Sequence, residues 1–486
     1  MPVSPARAAA FEILLRIETT DAYASELLHS SRFAKLSPAD HGLLTELVMG
    51  VLRWRGVLDK KIAGHYGRSS EDRAPADWSA SRKIPERSLA KLDLEVLTAL
   101  RLGVYQILFL DRIPRHAAVN ESVELVKAAH KRSAAGLVNA VLRKIDRVPS
   151  DLKEKSAHPD WLVERWTRIY GSDIAGKICE YNQSAPSPVV RMTSAQRDVG
   201  IAAPGCPPGL GPGSFAAASS ELRSTGQPRA AVPTLEELRS EAIQIEPGKL
   251  LSTAFTVTSG DITQTKAFRE RRLIVQDEAS QLVALLVGNG ENILDCCAAP
   301  GGKTRIVAER NPEALIVAMD LHPRRAALLQ KLGVAGNVRV VSADARAIPF
   351  SGGFDRILVD APCSGTGTLA RNPEIKWRLK PEDLPRLQEY QREILSAAMQ
   401  HLAPSGRIVY STCSLEPEEN SEVVEKVLVA NPPFCLVNCR DELQKLRANG
   451  ELTWEEVDSL VSGPYLRTIP GVHRCDGFFA AIIARN

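Results

Sequence analysis

Between residues 91 and 110 the apolar positions Leu94, Leu97, Leu100, Val104 and Leu108 recur three or four apart, the spacing of one helix face. The same period predicts helices over Ala6–Glu18, Ala39–Val51, Val119–His130 and Ala134–Lys144. Asp40 is expected to cap the second of these, and Asn120 lies near the start of Val119–His130. His158–Tyr170 reads as one more amphipathic helix, with Trp161 and Trp166 as core groups. The pattern then changes. Ala185–Thr193 resembles a strand, Ile201–Val232 is rich in Gly, Pro, Ala and Ser and reads as a flexible insertion, and Leu235–Ser240 reads as a short helix. Strand-like fragments over Ile243–Ile274 close on the basic cluster Arg269, Arg271 and Arg272, giving a small α/β subdomain.

From Asp277 onward, apolar runs alternate with amphipathic stretches. Strands are predicted at Asn292–Cys297, Ala314–Asp320, Val338–Ser342, Asp355–Asp360 and Arg407–Ser411, with later ones near Phe434–Val437 and Phe478–Ile483. Helices are predicted at Arg324–Leu332, Asp383–Leu402 and Pro417–Val429. Such alternation predicts a parallel sheet covered on both faces, with ligands at the carboxyl ends of its strands. Three domains result: an all-α bundle over 1–148, linker helices and the small α/β subdomain over 149–276, and an α/β domain over 277–486.

Composition adds little until it is divided along the chain. The net charge of +3 hides an uneven spread: Met1–Ser150 carries 23 Lys and Arg against 17 Asp and Glu, the remainder 38 against 41. A mildly basic N-terminal third fits a polyanionic partner such as RNA, and equally fits a soluble surface. The opening MPVSPARAAAFEI has no apolar signal-peptide core, and apolar runs such as Val104–Leu110 are too short to span a bilayer. Nine cysteines without a C-x-x-C pair argue against a zinc site or a disulfide framework, so a reducing cytoplasm with free thiols and no metal is expected.

The chemistry gathers at three strand ends. Ile293–Thr304 reads ILDCCAAPGGKT, an apolar run that turns through Pro300, Gly301 and Gly302 into a helix opened by Lys303. Glycines let the backbone come close to a nucleotide-like group, and a helix start offers free N–H groups. The turn lacks both the G-x-G-x-x-G spacing and the first Walker glycine, whose place Cys297 takes, so hydride transfer and NTP hydrolysis lose ground. Asp320 ends the next strand, where a carboxylate suits two ribose hydroxyls, and Asp344 after the third strand suits an adenine edge. Asp360-Ala361-Pro362-Cys363 and Ser411-Thr412-Cys413 then bring two cysteines to neighbouring strand ends. Free cysteines are more often small buried hydrophobes, and strand-end acids are more often caps. Arg371–Trp377, following Cys363, holds cations that could grip RNA phosphate, with Trp377 read as core.

These segments resemble a known family. ILDCCAAPGGKT, ILVDAPCSGTGTLARNPEIKW and IVYSTCSLEPEENSEVV are similar to the signature segments of the Sun family of RNA cytosine-5 methyltransferases, which use S-adenosyl-L-methionine. ARAAAFEILLRI, HGLLTELVMGVLR and IPRHAAVNESVELVK with AAGLVNAVLRKI resemble the RNA-binding factor NusB, and more closely the NusB-like domain in front of bacterial rRNA cytosine-5 methyltransferases. The resemblance implies an all-α NusB-like bundle, a small α/β subdomain and a Rossmann-like class I methyltransferase domain. It implies methylation of C5 of a cytidine in 16S small-subunit rRNA through a covalent cysteine–C6 intermediate. Cys413 is then the nucleophile and Cys363 assists release, while Asp360 holds the N3/N4 edge and Lys303 faces the base or the cofactor. The cofactor site comprises Cys297, Ala298, Ala299, Pro300, Gly301, Gly302, Lys303, Asp320, Asp344 and Asp360. DNA cytosine-5 methyltransferases use the Pro-Cys cysteine as nucleophile, so Cys363 competes with Cys413 for that role. A tRNA substrate, or an RNA-binding assembly factor with an inactive domain, are the alternatives. Neither DNA nor a membrane is an expected partner, and a monomer is the working expectation.

Overall fold

The computed structural model describes residues 3–33, 35–66, 86–146, 157–193, 235–332 and 336–485. The predicted insertion Ile201–Val232 lies outside them. The chain divides into two compact units. A helical unit comprises Met1–Pro186, Ser364–Asp383 and Ile469–His473, and a sheet unit comprises Ser187–Cys363, Leu384–Thr468 and Arg474–Asn486.

In the helical unit, α1 (Pro5–Thr19), α2 (Ala24–Leu28), α3 (Pro38–His65), α4 (Leu94–Phe109), α5 (Arg115–Ala128) and α6 (Ala135–Lys144) close around one apolar core. Leu44, Leu47, Leu52, Leu58, Leu100, Leu102 and Ile107 are all essentially inaccessible to water. Burying each such side chain contributes roughly 1.5–3 kcal/mol. The cap of α3 differs from expectation: Ser37 is the N-cap, its Oγ accepting from the Asp40 amide at 3.1 Å, while the Asp40 carboxylate takes the Ser37 hydroxyl at 2.7 Å. A serine answered by an acid three residues on is a reciprocal cap, so the acid belongs to the first turn. Asn120 likewise sits inside α5, which opens at Arg115. Two further helices follow, α7 (Asp160–Tyr170) and α8 (Ser172–Gln183), and Trp166 is fully buried.

The sheet unit holds two sheets. The smaller is antiparallel, ordered β2–β3–β1–β4, from β1 (Val189–Met192), β2 (Gln244–Pro247), β3 (Ala254–Ser259) and β4 (Leu273–Val275). With α9 (Leu235–Ser240) and α10 (Lys266–Arg269) it encloses a small core that includes Val190, Leu238, Ile243, Val257 and Leu273. The larger sheet begins after α11 (Glu278–Leu285). Its strands β5 (Asn292–Asp295), β6 (Leu315–Asp320), β7 (Val338–Ser342), β8 (Phe354–Asp360) and β9 (Leu402–Thr412) are parallel, ordered β7–β6–β5–β8–β9. Between them run α12 (Gly302–Arg310), α13 (Pro323–Lys331) and α15 (Asp383–Gln400), while the single turn α14 (Ile375–Arg378), also between β8 and β9 in sequence, belongs to the helical unit.

The parallel reading holds only for those five strands. After α16 (Ser421–Ala430), β10 (Phe434–Val437) and, beyond α17 (Cys439–Ala448), β11 (Val461–Ser462), β12 (Tyr465–Arg467) and β13 (Phe479–Arg485) extend the sheet in antiparallel register. A fully buried apolar run reads the same in either direction, so its composition does not reveal strand sense. The strand order reverses between β5 and β8, and that crevice is where open α/β sheets take their ligands. Among the described residues, no helix is long and apolar enough to cross a membrane.

Candidate active site

Parallel register decides what meets at the crevice. Asp360 pairs with Ser411 across β8 and β9, so the loops leaving those strands start side by side. Each carries a half-buried cysteine a few residues on, and the thiols of Cys363 and Cys413 lie 3.4 Å apart. The two motifs, fifty residues apart in sequence, therefore share one point in space.

Beside the thiols, Lys303 Nζ donates to Asp360 Oδ2 at 2.7 Å, and Ser411 Oγ donates to Asp360 Oδ1 at 2.8 Å. Lys303 also stands 4.9 Å above the centre of the Phe478 ring. Burial alone would lower the lysine pKa. The Asp360 carboxylate outweighs it, with a smaller contribution from Cys413, and holds the group above the ordinary lysine range. A cation thus stays fixed at the mouth of the two cysteine loops.

The glycine turn lies at the same strand ends. Gly301 adopts φ 105°, a left-handed conformation that side chains rarely accept, and α12 starts immediately afterwards. The N–H groups of the first turn of a helix have no intrahelical partners and point out of its end. Gly302 is also hemmed in: a Cβ there would stand 3.2 Å from the Gln276 amide. Behind the turn, Asp295 is buried and accepts from Thr304 Oγ1 at 2.7 Å, while its Oδ1 lies 3.4 Å from the Cys297 amide. The Ala298 amide is taken by the Met319 carbonyl at 2.7 Å. Asp320 ends β6 with one oxygen capping the His322 amide at 2.9 Å. Arg325 reaches both the Ala299 carbonyl, at 3.1 Å, and the other Asp320 oxygen, at 3.7 Å. Asp344, half-buried after β7, is gripped by Arg346 through Nε and a terminal nitrogen at 2.7–3.1 Å. Its side-chain hydrogen bonds from Arg346 keep the carboxyl below the usual range.

The residues expected to hold the cofactor or the base, from Cys297 to Lys303 with Asp320, Asp344, Asp360, Cys363 and Cys413, sit at or beside these strand ends. Ser411, Asp295, Thr304, Phe478 and Arg325 were not singled out. Ser411 and Thr304 belong to the quoted motifs and could have been read as polar neighbours of the strand ends, whereas Phe478 and Arg325 carry no local signal. Within Arg371–Trp377 and its neighbour Arg378, the phosphate-grip reading fails for Lys376 and Arg378. Ser364–Asp383 belongs to the helical unit, where Lys376 Nζ donates to the Arg53 carbonyl at 2.9 Å and is 1% exposed. Burial pushes its pKa well below the ordinary lysine value. Trp377 Nε1 donates to the Leu52 carbonyl at 2.7 Å, Arg378 donates to the Ile17 carbonyl at 2.9 Å and the Ala22 carbonyl at 2.5 Å, and Glu374 accepts from the Ala24 amide at 2.9 Å. These polar groups serve the fold, and Trp377 is half-buried rather than fully enclosed.

Comparison with known proteins places both units. A family profile described as 16S rRNA methyltransferase RsmB/F matches residues 282–484, and the NusB family profile matches residues 4–147. The Bacillus subtilis (strain 168) protein described as "Probable ribosomal RNA small subunit methyltransferase B" is 31% identical over 500 residues, covering 99% of this chain and 98% of its own. The ribosomal RNA small subunit methyltransferase B of Escherichia coli O1:K1 / APEC is 32% identical over 471 residues, covering 93% and 92%. Among solved structures, the crystal structure of PH0851 aligns over 100% of both chains with TM-score 0.71 at 22% identity. That of NSun6 from Pyrococcus horikoshii with SFG covers 67% of this chain and 98% of its own, with TM-score 0.50 at 19% identity. At these identities the two structures speak to the fold alone.

Proposed function

This chain belongs to the ribosomal RNA small subunit methyltransferase B family, and from that membership we propose that it methylates C5 of a cytidine in small-subunit rRNA. It is an S-adenosyl-L-methionine-dependent RNA methyltransferase with a NusB domain in front. The observation that carries the finer reading is the pair of thiols 3.4 Å apart beside the Lys303–Asp360 ion pair.

The residues fit the cofactor. The left-handed Gly301 and the open start of α12 suit a carboxylate, and Asp320 at the end of β6 suits a ribose diol. Cys297 to Gly302 would line the methionine end and Asp344 the adenine edge, with Lys303 and Asp360 between cofactor and base. When bound, S-adenosyl-L-methionine supplies a methyl group on an electron-poor sulfonium.

C5 of cytosine is a poor nucleophile until C6 is substituted. The Cys413 thiolate adds to C6, which makes C5 enamine-like and able to take the methyl group. Asp360, held by Lys303 and Ser411, accepts from the N3/N4 edge and favours the N3-protonated ring, which takes up the electron pair displaced when C6 is attacked. After transfer a base takes the C5 proton, the C–H electron pair re-forms the C5–C6 double bond and the Cys413 thiolate leaves, with Cys363 assisting that release. Attack from a ring face requires the cytidine to leave its stack. The helical unit and the small antiparallel sheet would hold the flanking RNA, in the cytoplasm.

The test is transfer from methyl-tritiated S-adenosyl-L-methionine to unmodified small-subunit rRNA and to tRNA, followed by bisulfite sequencing. Label at one protected cytidine in the rRNA is expected. Label confined to tRNA overturns the substrate, and label in rRNA without a protected cytidine overturns the position.

A further inference from the structure

Pro362 and Thr412 precede the cysteines, and a buried polar network joins the two loops beneath them. Gln391, in the middle of α15 and inaccessible to water, donates from Nε2 to the Pro362 carbonyl and to Glu419 Oε1, both at 2.9 Å. Glu419, also inaccessible, accepts from Ser414 Oγ on its other oxygen at 2.5 Å. Ser414 Oγ in turn accepts from the Glu416 amide at 3.0 Å, and Asn420 accepts from Thr412 Oγ1 at 2.5 Å while donating to the Ser414 carbonyl at 2.9 Å. Tyr410 OH donates to the Glu419 carbonyl at 2.7 Å.

We propose that Gln391 and Glu419 form a positioning clamp that sets the distance between Cys363 and Cys413. Neither side chain reaches the reaction. One amide nitrogen ties the loop before Cys363 to a carboxylate whose far oxygen holds the residue after Cys413. A glutamine suits this place because both groups it faces are acceptors, and its own Oε1 accepts no hydrogen bond among the described residues. A carboxylate at 391 would confront a carbonyl and a carboxylate, and an aliphatic side chain would free the Pro362 loop. The chemical consequence rests on the C5-methylation reading, in which both thiols must act on one base. Shifts of about 1 Å in such pairs cost on the order of a hundredfold in rate.

Three variants of the full chain separate this from general stability. Gln391→Leu removes both donors, and Gln391→Met does so with a flexible side chain if the leucine variant fails to fold. The exchange Gln391→Glu with Glu419→Gln restores the 391–419 and 419–Ser414 hydrogen bonds but leaves Pro362 unheld. Thiol spacing is read without turnover through the affinity for phenylarsine oxide, a trivalent arsenical that closes on two adjacent thiols, taken relative to Cys363→Ala. We expect Gln391→Leu to lower kcat by about ten- to a hundredfold, with both KM values within about twofold, and to weaken arsenical capture by at least about tenfold. The exchange is expected to recover the melting temperature while kcat and arsenical capture stay low. Unchanged kcat and capture in Gln391→Leu, or an exchange that restores kcat together with stability, would overturn the clamp. If the wild-type chain methylates no cytidine C5, the arsenical measurement still decides the clamp while the functional reading falls.

Discussion

Asp295→Asn gives the sharpest test of how the cofactor turn is built. Asp295 is 3% exposed at the end of β5, under the Gly301 turn. Burial pushes its pKa from the ordinary 3.8 up to about 7, opposed by the Thr304 hydrogen bond, supported by Asp360 and opposed again by Lys303. Because the folded-state value is raised, the native sheet keeps its proton where the unfolded chain has already lost it. Native stability is therefore fullest below pH 4 for this group, falls as pH rises towards 7, and is level above it. A rise from 3.8 to about 7, at about 1.4 kcal/mol per pH unit, makes the loss roughly 4 kcal/mol. Asparagine does not titrate, can donate to Thr304 Oγ1 and can accept from the Cys297 amide. The assay is urea denaturation between pH 4.5 and 8 for both proteins, read by amide hydrogen exchange over Asn292–Asp295. Other titrating groups contribute to both, so the difference isolates Asp295. Asp295→Asn should gain on the wild type by a few kcal/mol as pH rises, with the gain complete near pH 7.5. Parallel pH profiles would refute the reasoning.

Gly301→Ala forces a side chain into φ 105° and should lower the melting temperature by the equivalent of about 1–3 kcal/mol while weakening cofactor binding in calorimetry. Asp320→Ala removes the carboxylate proposed for the ribose diol and should raise the cofactor Kd about ten- to a hundredfold, from about 1.5–3 kcal/mol of charge-assisted hydrogen bonding. Trp377→Ala should destabilise the helical unit by less than the roughly 3–5 kcal/mol of a fully buried tryptophan, and Lys376→Met should leave the salt dependence of RNA binding unchanged, where loss of a phosphate contact would reduce the slope by about one. Cys363→Ala should accumulate a protein–RNA adduct that resists denaturation, whereas Cys413→Ala should give neither adduct nor product on denaturing gels.

Much of the candidate site was legible because strand ends announce themselves. Asp320 and Asp360 each close an apolar run, and parallel neighbours deliver consecutive strand ends to one edge. That logic brought Cys363 and Cys413 together before any geometry was known. It did not extend to the direction of β10 to β13, since buried runs carry no sense of polarity. Nor did it reach contacts made across long sequence separations. Lys376 beside Trp377 looks from sequence like a cationic patch with an aromatic, yet its Nζ donates to the Arg53 carbonyl 323 residues away. Gln391 and Glu419 were equally silent, because nothing local distinguishes a buried glutamine on an amphipathic helix from an exposed one.

The most direct test of the central claim uses small-subunit rRNA carrying 5-fluorocytidine, incubated with S-adenosyl-L-methionine and the wild-type chain. Fluorine at C5 cannot leave as a proton does, so the release step stalls with the thiol still bonded to C6. A covalent complex whose cross-linked peptide contains Cys413 is the predicted result. A complex through Cys363, or methyl transfer with no covalent complex at all, would contradict it.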